Sequence, residues 1–95
     1  MLIIAGKLYV APEERDKFVD GHVEVVKRAR EYAGCIDLAI SADMIEDGRV
    51  NMIEVFESEE ALASWRKIAP GPSYHAEIQG GDVQKHQISS SGPPF

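Results

Sequence analysis

Three histidines, one tryptophan and one cysteine are the side chains in this 95-residue chain best suited to proton transfer, ring binding or nucleophilic attack. His22, His75 and His86 can each exchange a proton near neutral pH, where imidazole titrates. Glu54 joins them as a base if burial raises its pKa, because it interrupts the mostly apolar run that opens "NMIEVFESEEALASWRK" over 51–67. His75 follows Tyr74 in "PGPSYHAEIQGG", a Pro- and Gly-rich loop of the kind that often carries functional groups. His22 falls between Phe18 and Val25/Val26 on an apolar helical stripe. It is therefore either a boundary histidine bonded to its own helix or part of the lining of a cavity between helix and sheet. His86 lies on a polar strand.

The remaining reactive types read first as packing. Trp65 is spaced as a helix anchor filling the core, with an indole N–H that needs a partner and can hold a substrate oxygen. Alternation carries Glu54 wherever Met52 and Phe56 point. A buried carboxylate is costly unless paired, so pairing with Lys7 or Arg49 is expected ahead of catalysis. Cys35 reads as a small buried hydrophobe, with no cation nearby in sequence to lower its pKa. A lone cysteine excludes an internal disulfide framework and a cysteine-based zinc site, and no phosphate loop, metal-ligand spacing or Ser-His-Asp order appears.

A short series of elements must position these groups. "LIIAGKLYV" (2–10) is a strand, and Pro12 opens a long amphipathic helix to Ala33, with Glu13 and Glu14 in its first turn and Gly34 as a left-handed stop. Gly21 inside that helix costs roughly 1 kcal/mol relative to alanine and marks a candidate close contact. "CIDLAISAD" (35–43) sets Ile36, Leu38 and Ile40 against Cys35, Asp37, Ala39 and Ser41, and the "EDGR" turn pairs it with the strand "VNMIEVFE" (50–57). Ser58 caps a second helix that ends by Pro70, and the loop 70–81 leaves room for one more helical turn. "DVQKHQIS" (82–89) is a polar edge strand.

The order βαββαβ predicts a ferredoxin-like α+β sandwich, a four-stranded antiparallel sheet with both helices on one face. It forms a single domain over 1–90, followed by an irregular tail over 91–95. Ile3, Ala5, Ile53 and Val55 make the other sheet face apolar as well, which predicts a homodimer closed through the sheet. A charge of −6, from 10 Lys and Arg against 16 Asp and Glu, argues against a nucleic-acid partner. No stretch reaches the ~20 apolar residues of a membrane span and no secretion leader is visible, so a cytoplasmic location is expected.

The element order, the "VAPE" approach to helix one, the "EYAGCIDLAIS" junction (31–41) and the "MIEVFESEEALASW" run (52–65) together resemble the antibiotic biosynthesis monooxygenase family. The resemblance implies a dimeric α+β-barrel protein. It also implies cofactor-independent oxygenation of small anthrone- or quinol-like rings, haem degradation, or isomerisation, according to branch. Many members carry a histidine where Trp65 stands and another after the following proline, where this chain has Gly71 and Pro72. The haem-degrading branch is similar in the Trp65 to His75 spacing, with His75 as axial nitrogen, but its first-strand asparagine falls at Lys7. Taken with the residue types, the resemblance makes His75, Trp65 and His22 the catalytic candidates and Tyr74, Phe56 and Glu54 the substrate-binding candidates, with no metal and no cofactor. The other readings are haem cleavage through His75 and a non-catalytic ligand-binding or assembly module.

Overall fold

Strand β1 (Leu2–Tyr9) is flanked on both sides by antiparallel partners. The structure, a computed structural model, describes residues 1–95 and places β1 beside β3 (Arg49–Phe56) and β4 (Gly80–Gln87), with β2 (Cys35–Ala42) outside β3. The sheet order β2-β3-β1-β4 with helices on one face is the ferredoxin-like arrangement that the element order implies. Period-2 alternation puts Leu2, Ile4, Leu38, Val50 and Phe56 under the helices, all buried. Ile3, Ala5, Ile53 and Val55 point to the face that no helix covers, where Ile53 is 38% exposed.

Two departures from simple patterning shape the helix side. The pairing of β2 with β3 steps from Cys35 opposite Phe56 to Asp37 opposite Val55, so Ile36 is an extra, bulged residue. The bulge turns Cys35 inward beside Leu38 and leaves Ile36 exposed, reversing the alternation expected for that end of the strand.

The expected single helix over 12–33 is also divided. A 3-10 turn (Pro12–Glu14) leads into α1 (Arg15–Asp20), and α2 (Val23–Glu31) starts after a break at Gly21 and His22. Tertiary contact causes the break. The Gly21 carbonyl accepts the Ser73 N–H at 2.8 Å, and a Cβ on Gly21 would lie 2.9 Å from both Cβ and N of Tyr74. Gly34 does not adopt a positive φ. It is needed because a Cβ there would meet that of Ala61 at 2.5 Å, which corrects the left-handed stop.

Helix α3 (Glu59–Ile68) begins as read, with the Ser58 hydroxyl accepting the Ala61 N–H at 3.1 Å. Its Leu62 and Trp65 join Leu2, Ile4, Ala29, Cys35, Leu38 and Phe56 in the main core, while Val10, Phe18 and Val50 form a second cluster under α1. The segment 69–79 contains no helical turn. Pro70 and Pro72 lack donors and push their preceding residues to extended backbone. Strand β4 starts two residues earlier than expected, is exposed along its length, and ties to α3 through Lys85 and Gln87 on Glu59. Residues beyond Gln87 lie outside helices and strands, and no helix is long and apolar enough to cross a membrane.

Candidate active site

Between the helix-side sheet face and the helices lies a cavity of about 340 Å³, within the range of small-molecule sites. Leu8, Leu38, Met52 and Glu54 form its floor, Phe18, His22, Val25 and Trp65 its helical wall, and Pro72, His75, Ala76 and Ile78 its remaining side. A wider, open groove of about 600 Å³ along α2 adjoins it at His22 and Ile40, which line both. Asp20 and Glu31 are balanced there by Lys27 and Arg30, whereas the smaller, deeper cavity holds a single carboxylate among mostly apolar side chains.

Four of the six candidate residues meet in the cavity: His22, Glu54, Trp65 and His75. Phe56 and Tyr74 do not line it. Phe56 is fully buried in the main core, and the Tyr74 hydroxyl turns away to donate to Glu14 Oε1 at 2.9 Å. The direct ligand contact expected of these two is therefore corrected, because packing occupies one and a hydrogen bond directs the other elsewhere. His86, the third histidine, is exposed on β4 outside the cavity.

Glu54 departs most from its expected role. It forms no ion pair: Lys7 projects to the opposite sheet face, and Arg49 is engaged by Asn51 at 2.8 Å, Glu46 at 3.4 Å and Asp43 at 3.5 Å. The sheet register instead sets Glu54 between Ile4 and Leu38, two apolar cross-strand neighbours. Burial pushes its carboxyl pKa above the ordinary range, against a smaller lowering by the Arg66 charge. A half-buried carboxylate without a protein partner, facing a cavity, is ready to accept a proton from a ligand.

His22 is oriented by the helix break. Its Nδ1 lies 2.7 Å from the Phe18 carbonyl, which can only accept, so Nδ1 carries a hydrogen and Nε2 is the ring nitrogen left for other partners. The ring packs against Phe18 at 4.7 Å between centroids. Trp65 is 4% exposed and stands 5.7 Å from the Tyr32 ring, so it is both core anchor and cavity wall. His75 is exposed on the outer segment. No group of three or more His, Cys, Asp or Glu side chains is arranged to hold a metal ion. The residues also fit a haem poorly: the axial candidate His75 is at the exposed margin, an unpaired carboxylate lies in the floor, and Lys7 is on the far side of the sheet.

An antiparallel sheet with helices on one face and an apolar pocket between the layers defines a ferredoxin-like α+β domain with a cavity between its layers. Over residues 1–71 the chain matches the family model for antibiotic biosynthesis monooxygenase, and it belongs to that family. The side of the cavity formed by Pro72, His75, Ala76 and Ile78, and strand β4, lie beyond the matched stretch. Among solved structures, it is similar to a candidate antibiotic biosynthesis monooxygenase from Deinococcus radiodurans, with a TM-score of 0.81 at 17% identity over 100% of this chain and 99% of that one. A candidate of the same kind from Nitrosomonas europaea gives 0.76 at 10% identity, covering 95% and 100%. A further antibiotic biosynthesis monooxygenase gives 0.71 at 21% identity, again covering 95% and 100%. At these identities the likeness establishes the shared fold. No curated protein matches the chain.

Proposed function

We propose that the protein is a cofactor-independent monooxygenase that oxidises a small, electron-rich aromatic or quinol-like compound with O₂ inside this cavity. The observation that carries the reading is Glu54, an unpaired carboxylate with raised pKa in an otherwise apolar floor opposite Trp65. Such a group suits proton abstraction from a phenolic hydroxyl or an acidic ring carbon, while the apolar walls hold the ring. The resulting anion supplies the electrons. In an anthrone-like substrate a ring CH₂ becomes C=O as O₂ provides one oxygen to the product and one to water, so all four electrons come from the substrate. Glu54 or His22 Nε2 takes the first proton, and the protonated group returns it as the O–O bond breaks and water leaves.

An oxygen electrode with a panel of hydroquinones and anthrones checks this. Consumption above the buffer rate is expected for at least one member, and none across the panel would reject the reading.

A second copy of the chain completes the assembly in this proposal. Ile3, Ala5, Ile53 and Val55 form an apolar face that the helices, all on the opposite side, cannot cover. A two-fold dimer buries it in the simplest way. Light scattering should give twice the 10.5 kDa chain mass. Ile53→Lys should return the protein to monomer, and a monomeric wild type at micromolar concentration would exclude the dimer.

A further inference from the structure

We propose that Tyr74 and Glu14 are positioning residues that latch segment 69–79 over the cavity and so control access to Glu54 and Trp65, an inference that rests on the cavity being the ligand site. Apart from the His22 junction, every other wall belongs to a helix or strand whose backbone is held by regular hydrogen bonds. The outer wall is different. His75, Ala76 and Ile78 line the cavity, yet residues 75–78 make no backbone hydrogen bond at all.

Its hydrogen bonds lie at its ends, while Ala76 and Tyr74 pack against the Val10, Phe18 and Val50 cluster. On one side the Ser73 N–H donates to the Gly21 carbonyl at 2.8 Å and the Tyr74 hydroxyl to Glu14 Oε1 at 2.9 Å; on the other the Gln79 N–H donates to the Tyr9 carbonyl at 2.8 Å. The Tyr74 bond is the only one of the three that ties the segment through a side chain to a charged acceptor, which makes it the strongest candidate for a controlling contact. The hydrogen bond to the Glu14 carboxylate in turn pushes the Tyr74 hydroxyl above its usual range, so the donor persists further into alkaline pH than an ordinary tyrosine. Tyr74 also backs directly onto Gly21, at the break that orients His22. The same junction thus aims a cavity histidine and seats the outer wall, giving Tyr74 a role although it does not touch the cavity.

Trp65 is the sole tryptophan, nearly buried and part of the cavity wall, so acrylamide quenching of its fluorescence reads the latch without any turnover. Tyr74→Phe and Glu14→Ala should each raise the Stern–Volmer constant by at least about twofold, with far-UV circular dichroism unchanged, as expected for local opening. Glu14→Gln keeps an acceptor oxygen without the charge and should fall between wild type and Glu14→Ala. The double variant Tyr74→Phe/Glu14→Ala should quench no more than either single, because both remove one bond. Stopped-flow binding of 1-naphthol, followed through Trp65, should accelerate by about tenfold or more in the unlatched variants, the factor that one charge-assisted hydrogen bond can hold back. Wild-type quenching in both single variants, or additive increases in the double, would overturn the latch. Oxygen consumption does not enter these readouts, so the latch and the monooxygenase reading fail separately.

Discussion

Replacing Glu54 by glutamine is expected to lower oxygen consumption by about 10²–10⁴-fold, the usual contribution of a general base, while making the protein harder to unfold near neutral pH. The second effect follows from the sign of the pKa shift. Burial raises the folded-state pKa of Glu54 above its unfolded value, so the native state favours the protonated form. That preference is fully present below the unfolded pKa and is lost as pH rises through the folded pKa, above which the ionised carboxylate is unfavourable. Glutamine removes this penalty. With part of the carboxylate still in contact with water, the gain is up to about 1 kcal/mol, or roughly 4–8 °C in Tm for a domain of this size. Thermal melts in acid and at neutrality check it: the difference between variant and wild type should shrink as Glu54 becomes protonated. A structural ion-pair partner would show the opposite, losing stability on neutralisation. The base must be ionised to work, so the rate should rise with pH through a midpoint displaced upward from that of an ordinary carboxylate. Arg66→Gln removes the cation that opposes the shift and should move the midpoint further up.

The role of Glu54 was the least legible part of the site, whereas the architecture around it was largely legible. Element order, the inward alternation of β1 and β3 and the Ser58 cap are written in local patterns of period 2 and 3.6, and these patterns survive folding because they match the faces that are buried. Other features depended on partners distant in the chain. Gly21 was recognisable as a weak point in a helix, but the reason for it, the Ser73–Tyr74 backbone seated on it, lies in a loop some fifty residues later. The bulge at Ile36 exchanges the exposure of two neighbours without any composition signal in "CID". Glu54 was expected to find Lys7 or Arg49 because they are close in the strand order. Pleating sends Lys7 to the other face, and the hairpin network of Asp43, Glu46 and Asn51 captures Arg49. Glu14, which holds the cavity wall in the proposed latch, was readable only as a helix-end charge, and Arg66, which opposes the shift of the carboxylate, carried no signal of its own.

Phe56→Ala should destabilise the fold by about 3–5 kcal/mol, a large share of the roughly 5–15 kcal/mol available to a whole domain. Phe56 has no exposed surface, and its strand neighbours are Leu2 and Cys35, both buried. Truncation removes the transfer energy of a ring and leaves a void that sheet and helix cannot easily close. Phe56→Leu, which keeps most of the apolar volume, should retain much of that stability. Urea melts of the three proteins give the ordering directly. The same series separates a core role from a ligand-binding one. A phenylalanine against substrate would, when truncated, raise KM and leave the urea midpoint nearly unchanged. Phe56 offers no surface to a ligand, so its loss can reach turnover only through the folded fraction. Activity measured in the cold and normalised to folded protein should therefore stay close to wild type, even as the midpoint falls.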